Sequence, residues 1–318
     1  MANLRAGLIG FGMMGKNHAR ILSSLEGVDL VAIADPDKAY HGKNGDIKFV
    51  SNVEDIILCN LDYCFVAVPT ALHEKVGMQL ANASVPTMME KPLAADYESA
   101  LRLTEEFERR NLLGAVGHIE RYNASIVQAK RRISNGDIGD IYQIATRRQN
   151  PFPKRVLDVG VVRDLATHDI DLTMWITGQD YLDVNAQIMS LPGRDYEDLV
   201  SINGRMSGGT IANHLINWIS PYKERLTVIT GSKGAFVCDT LTSDLTFYSN
   251  QSTDNDWPEL ANFKGSSEGD VIKFSFVKPE PLRREHENFR DAVLGKDCEI
   301  VTMRQGLSVI KVSDLILR

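Results

Sequence analysis

An apolar run, Leu4 to Ile9, breaks into Gly10-Phe11-Gly12-Met13-Met14-Gly15. Three glycines at this spacing, directly behind a strand, leave few folds open. The segment reads as a strand, a tight turn and the first turn of a helix. Gly10 permits the sharp turn, Gly12 removes a side chain where the backbone must approach a pyrophosphate, and Gly15 lets the helix pack closely on the strand. The N–H groups at the helix start, around Met13 and Met14, then face phosphate at the positive end of the helix dipole.

The next apolar run, Val28 to Ala34, ends in Asp35. That is about 20 residues past the last glycine, where a dinucleotide fingerprint places an acid. A carboxylate there accepts hydrogen bonds from the adenosine ribose and repels a 2′-phosphate. The expected cofactor is therefore NAD, with Lys38 close enough to keep NADP open.

The chain has 318 residues, too many for one ordinary core, so two domains are the default. Strand and helix signals alternate at first. Leu61 to Val68 is a strand apolar on both faces, followed by Pro69-Thr70 and a helix over Ala71 to Asn82. A strand over Pro86 to Met89 ends at Glu90-Lys91-Pro92, a long amphipathic helix runs to Arg110, and a strand follows over Leu113 to Gly117. This alternation implies a parallel sheet wound by helices. The stretch His41 to Asp46 reads as loop.

The pattern changes after Gly117. Helices are expected over Ala124 to Ser134 and Leu165 to Thr177, with a strand over Ile138 to Gln149 and an irregular stretch over Asn150 to Arg163. Repeated strand signals with Gly-rich turns between Val184 and Val277 predict a mostly antiparallel sheet. Asn250 to Glu268 is the most loop-like part, and two helices, Arg284 to Leu294 and Arg304 to Leu317, close the chain. The expected architecture is α/β: a Rossmann domain over 1–119, then a second α/β domain over 120–318 with a large, mostly antiparallel sheet. The closing helices are the part that can pack back on the first domain.

The net charge of −7 argues against nucleic acid as a partner. Cys59, Cys64, Cys238 and Cys298 form no CxxC pair, so neither a zinc site nor a disulfide framework is expected, and a reducing cytoplasm is. No apolar run is long enough to span a membrane, and the first strand begins too early for a signal peptide.

A second constellation carries acid–base chemistry. Asp164, His168 and Asp171 fall at i, i+4 and i+7, one face of a helix. An acid one turn from a histidine fixes its orientation and stabilises its protonated form, as a general base toward an alcohol requires. The same residues are also open to readings as a helix cap, a core histidine or a divalent-metal site, although the spacing is not HExxH. Lys91, at the C-terminal end of a parallel strand, stands where such folds place ligands and can stabilise a developing alkoxide.

Taken in order, Gly10-x-Gly12-x-x-Gly15, Asp35, Pro69-Thr70-x-x-His73, Glu90-Lys91-Pro92 and Asp164-x-x-x-His168 resemble the glucose–fructose oxidoreductase/inositol dehydrogenase (Gfo/Idh/MocA) family over nearly the whole chain, including Trp218 and the Gly231 to Gly234 turn. The resemblance implies an NAD(P)-dependent dehydrogenase, assembled as a homodimer or homotetramer through the second sheet. It implies that Lys91, Asp164 and His168 act on the reacting hydroxyl, with the order of Lys91 and His168 as base left open. It also implies a cis peptide before Pro92, and Thr70 and His73 lining the nicotinamide side. The segments Gly117 to Asn123, Arg147 to Pro153 and Asp158 to Val162 are similar to those of UDP-N-acetylglucosamine 3-dehydrogenases within the family. Arg147, Arg148, Lys154, Arg155, Lys223 and Arg225 concentrate cations in an acidic chain, and arginine forks suit a diphosphate. The expected substrate is a UDP-amino sugar oxidised at C3. An inositol or free-sugar dehydrogenase and a non-catalytic cofactor-sensing regulator are the alternatives.

Overall fold

The computed structural model describes residues 2–37, 40, 47–153, 159–250 and 269–318. The expected loop over His41 to Asp46 and nearly all of that over Asn250 to Glu268 lie outside the described residues, as do Lys38, Lys154, Arg155 and Asp158. Contacts divide the chain into two units, one of Met1–Ile119 with Glu280–Asp314, the other of Glu120–Pro279 with Leu315–Arg318.

The first unit is built on six parallel strands. They are β1 (Leu4–Ile9), β2 (Val28–Ala34), β3 (Lys48–Val50), β4 (Tyr63–Val66), β5 (Thr87–Glu90) and β6 (Gly114–Gly117), in the spatial order β3-β2-β1-β4-β5-β6. The order reverses between β1 and β4, where Ile9 pairs with both Ala34 and Val66. Such a reversal opens a crevice at the C-terminal ends of the strands. The helices are α1 (Met13–Leu22), α2 (Val53–Ile57), α3 (His73–Asn82) and α4 (Tyr97–Arg109). Helix α1 begins two residues before Gly15 because the turn itself supplies the N-cap, Gly12. β3 and α2 carry no periodicity signal at three and five residues, and α2 is fixed by Asn52, whose side chain accepts the Asp55 N–H.

Every residue of β4 is buried, as helices on both faces demand. One face packs Ile9, Val66, Leu80, Leu103 and Phe107, and the other packs Leu8, Ile33, Phe65 and Phe289. Phe289 belongs to α7 (Pro281–Val293), whose ring stands edge-on to Tyr63 and Phe65 at 5.7 and 5.5 Å. Residue 301 caps the far edge, its carbonyl accepting the Val116 N–H at 2.9 Å. With α8 (Met303–Ile316), the closing helices belong to this unit up to Asp314 rather than to the unit of residues 120–279.

In the second unit, α5 (Ala124–Ser134) precedes β7 (Ile141–Pro151). A π turn (Val162–Ala166) runs into α6 (Thr167–Thr177). Then come β8 (Tyr181–Met189), β9 (Leu199–Met206), β10 (Ile211–Asn217), β11 (Ile219–Gly231), β12 (Gly234–Asp239), β13 (Asp244–Ser249) and β14 (Val271–Phe274). The eight strands lie in the order β14-β13-β12-β11-β7-β10-β9-β8, antiparallel except where β7 meets β10. One face of the sheet buries Ile144, Ile229, Phe236 and Leu245 against Ile126 of α5 and Leu172 of α6. No helix among the described residues is long and apolar enough to cross a membrane.

Candidate active site

In the first unit the glycine turn divides its labour. Gly10 has φ +91°, and a Cβ there would sit 2.4 Å from the Ala67 carbonyl oxygen. At Gly15 a Cβ would lie 2.0 Å from the Gly10 carbonyl oxygen, so these two glycines are required by the chain's own packing. Around Gly12 a Cβ would meet nothing within 4 Å. Packing does not call for a glycine there, and the space it leaves is open for a ligand. Gly12 also caps α1 without a side-chain bond, which leaves the first N–H groups of the helix, at Met13 and Met14, for an anion.

A cleft of about 470 Å³ lies over this turn, lined by Gly10, Gly12, Asp35, Val53, Pro69 and Leu72 among others. The Asp35 carboxylate is aimed by backbone: Oδ2 accepts the Phe11 N–H at 2.6 Å and Oδ1 the Asp37 N–H at 2.9 Å. The turn and the acid are thus one rigid piece. Bare helix start, side-chain-free Gly12 and aimed carboxylate fit the pyrophosphate and adenosine ribose of a dinucleotide.

Glu90 ends β5 and Lys91 follows, half-buried, joined to Pro92 by a cis peptide bond. Burial alone would raise the Glu90 carboxyl, but the bond from His18 and the neighbouring Lys91 charge outweigh it and hold it below the ordinary glutamate value. Thr70 opens a single 3₁₀ turn behind Pro69. His73 departs from its expected place. It is 1% exposed, with Nδ1 2.8 Å from the Pro92 carbonyl oxygen and Nε2 3.0 Å from that of Val68. Burial lowers its pKa against the pull of those carbonyls. The ring therefore clamps the Pro92 turn to the end of β4 instead of presenting itself to a ligand.

The second unit holds the two acid–base candidates, Asp164 and His168. Asp164 lies in the π turn and His168 in the first turn of α6, both buried at 8% exposure. π turns are rare and cluster at functional sites. Glu197 pins the start of this segment. Its carbonyl accepts the Val161 N–H and its Oε1 the Val162 N–H, both at 2.9 Å. Its carboxyl group also occupies the place a Cβ on Gly160 would take. Asp171 does not join the pair. Arg121 holds it with two bonds of 2.8 and 2.6 Å, so the metal reading of the three residues loses one ligand. Among the described residues no three His, Cys, Asp or Glu side chains converge as a metal site.

The cation cluster also divides. Successive residues of β7 face opposite sides of the sheet. Arg148 is 2% exposed and clamped between Asp169, at 3.0 and 3.1 Å, and Glu120, at 2.8 Å. It supports α6 from beneath and is not an accessible phosphate ligand. Arg147, on the other face, pairs with Glu224 at 3.2 Å and is half exposed. Arg225 sits opposite Arg148 in the register and reaches Glu120 at 3.4 Å. Burial, then the Arg148 charge, lowers its pKa, while Glu120, Asp169 and Asp164 pull it back. Lys223 is exposed and Arg155 lies outside the described residues. Glu120, Arg121 and Glu197 are site-supporting residues that pattern reading did not single out, since each acts through a partner remote in sequence.

Two family profiles match the chain, "Oxidoreductase family, NAD-binding Rossmann fold" over residues 4–118 and "GFO/IDH/MocA C-terminal domain" over 126–237. The chain belongs to the GFO/IDH/MocA family of oxidoreductases. Its first unit is the NAD-binding Rossmann domain of that family. A UDP-N-acetylglucosamine 3-dehydrogenase of Acidithiobacillus ferrooxidans is 29% identical over 214 residues, 67% of this chain and 66% of that one. Inositol 2-dehydrogenase 4 of Saccharopolyspora erythraea is 29% identical over 192 residues, 58% of this chain and 57% of that one. Both alignments span less than two thirds of the relative's length. A crystal structure of the Acidithiobacillus ferrooxidans enzyme superposes with a TM-score of 0.86 over 99% of this chain and 97% of that one, at 24% identity, a likeness of fold.

Proposed function

We propose that this GFO/IDH/MocA protein is an NAD-dependent dehydrogenase that oxidises a ring hydroxyl of a sugar, C3 of a UDP-amino sugar such as UDP-N-acetylglucosamine. The observation that carries the dehydrogenase reading is the pairing of chemistries. A dinucleotide cradle occurs in the same chain as two buried residues, Asp164 on a π turn tied down by Glu197 and His168 in the first turn of the helix that follows.

A bound oxidised nicotinamide supplies the hydride acceptor. The residues do the rest. His168 takes the hydroxyl proton, Asp164 orients the imidazole and stabilises its protonated form, and the Lys91 ammonium stabilises negative charge as it develops on the oxygen. Asp35 disfavours a 2′-phosphate by like charge, so NAD is the working cofactor. We place the enzyme in the cytoplasm as a homodimer or homotetramer assembled through the eight-stranded sheet, whose edge strands β8 and β14 carry exposed Leu182 and Val271.

The nucleotide-sugar reading draws on the named relative and on exposed Lys223 with Arg225, whose bond to Glu120 at 3.4 Å is longer than those of Arg147 and Arg148. The pairing of Arg147 and Arg148 favours a second reading, an inositol or free-sugar dehydrogenase, which needs no diphosphate site. Incubation with NAD and a panel of UDP-sugars, free sugars and inositols, followed by NADH absorbance, separates the two. With UDP-N-acetylglucosamine as substrate, Arg225→Ala raises KM by roughly 10- to 150-fold, equivalent to about 1.5–3 kcal/mol for a charged hydrogen bond, with kcat little changed. Oxidation of inositol but no UDP-sugar sinks the substrate assignment and leaves the dehydrogenase standing.

A further inference from the structure

Inside the first unit, a row of buried polar groups joins three distant stretches of chain. His18 of α1 is 1% exposed and His286 of α7 is fully buried. His18 Nδ1 lies 2.9 Å from His286 Nε2, and His18 Nε2 lies 2.8 Å from Glu90 Oε1. The other Glu90 oxygen accepts the Lys91 backbone N–H at 3.0 Å. The His286 ring is stacked on Phe65, with centroids 3.9 Å apart and planes at 24°. Neither histidine has a part in the reaction proposed above.

The directions of these bonds follow from the inventory of donors. An ionised carboxylate only accepts, so His18 Nε2 carries a proton and donates to Glu90. His18 Nδ1 then accepts, and His286 donates from Nε2. His286 Nδ1 is left as a bare lone pair, in agreement with its lack of any hydrogen-bond partner. The reverse arrangement puts the His286 proton on Nδ1, a buried donor without an acceptor, which is the rarer orphan. Burial above all holds the His286 pKa well below the ordinary histidine value and keeps it neutral.

The row is closed at its far end. Glu285, next on the same helix, is also fully buried, with neither carboxyl oxygen hydrogen-bonded. Burial, and then the Glu90 charge, raises its pKa well above the usual carboxyl value, so it stays uncharged. A chain of groups with no exit to water does not conduct protons. It fixes whatever stands at its open end, and that is the carboxylate bonded to the Lys91 N–H, on which the Lys91 charge also acts.

We propose that His18 and His286 are positioning residues that hold the Glu90 carboxylate against Lys91, so that the Lys91 ammonium works beside a fixed negative charge. The proposal rests on the role given to Lys91 above. His73 braces the same turn from its other end, at the Pro92 carbonyl. Without the His18 donor, the Glu90 carboxylate is no longer held in this place. It turns away to other partners, and the Lys91 ammonium loses its fixed negative neighbour.

The test needs no substrate. Lys91 in the full chain is labelled with acetic anhydride across a pH series and followed by peptide mass spectrometry. His18→Leu moves the labelling midpoint of Lys91 down by about one pH unit, so labelling at a fixed pH below it rises about tenfold. Glu90→Gln does the same with His18 intact. His18→Gln, which keeps a donor for Glu90, stays near the parent. His286→Phe, which keeps a ring against Phe65 but no bond to His18, shifts the midpoint in the same direction by less. Melting temperature and NAD binding identify any variant that fails to fold, and if His18→Leu does so, His286→Phe decides. A folded His18→Leu, or in its place a folded His286→Phe, with a Lys91 midpoint within about 0.3 unit of the parent overturns the proposal. Absence of turnover on every sugar tested instead removes the role given to Lys91 and leaves the labelling result standing.

Discussion

Arg148 offers the sharpest test of how the second unit is built. The guanidinium spends its bonds on Asp169 and Glu120, all three side chains being at most 8% exposed. Arg148→Met keeps much of the volume and deletes the charge, leaving two buried carboxylates of which only Glu120 keeps a cation, Arg225, at 3.4 Å. Breaking a buried ion pair from one side costs about 3–5 kcal/mol. At 2–4 °C per kcal/mol for a unit of this size, the melting temperature falls by roughly 6–20 °C.

The pH dependence carries a sign. In the parent, Glu120 is raised by burial, but Arg148 and Arg225 hold it below its ordinary value, so its stabilising contribution is present at neutral pH and fades only in acid below that value. In Arg148→Met burial dominates, the folded value rises above the unfolded one, and the penalty is relieved as pH falls. The stability gap between parent and variant is therefore wide at pH 7 and narrower at pH 5, read by urea unfolding at both. Adding Glu120→Gln and Asp169→Asn to Arg148→Met restores much of the loss, because no buried charge is stranded. A stability loss under about 1 kcal/mol at pH 7, with an increase in KM for a UDP-sugar, would refute this reasoning and return Arg148 to phosphate binding.

Three other outcomes are expected. Gly12→Ala changes thermal stability by less than about 1 kcal/mol yet weakens NAD binding at least about tenfold by calorimetry, whereas Gly15→Ala destabilises the fold as well; equal effects of the two would contradict the open space over Gly12. His168→Ala lowers kcat by about a hundredfold or more with NAD affinity nearly unchanged, and near-normal turnover would make the histidine structural. Titration shows NAD binding tighter than NADP, a gap that Asp35→Ser narrows; tighter binding of NADP by the parent would remove the role given to that carboxylate.

The parallel, helix-wound sheet of the first unit and the antiparallel character of the second sheet were legible because they rest on local signals. Glycine spacing, all-apolar strands such as β4 and period-two strands such as β9 can each be read within a few residues. β3 and α2 are too short to carry a period. The π turn was invisible because its register comes from tertiary pinning by Glu197, not from the residues within it. The cation cluster misled for a related reason. Arg147 and Arg148 are neighbours in sequence, but a strand sends them to opposite faces, and a guanidinium's partners at positions 120, 169 and 224 leave no trace beside it. His73 was found by its motif and misplaced by it, since a motif names a residue without saying which way its ring points.

The order in which the first unit is completed has a bearing on its biosynthesis. Phe289 plugs the face between Tyr63 and Phe65, and residue 301 closes the edge at Val116, yet both lie more than 170 residues beyond the end of β6 at Gly117. At roughly 5–20 residues per second, a ribosome needs on the order of ten seconds or more to make that intervening stretch. During this time the nascent cofactor domain exposes an aromatic face that its own C-terminus is destined to cover. A chain released early by a stop codon before residue 280 would carry every glycine of the fingerprint and still present that uncovered face to chaperones and proteases.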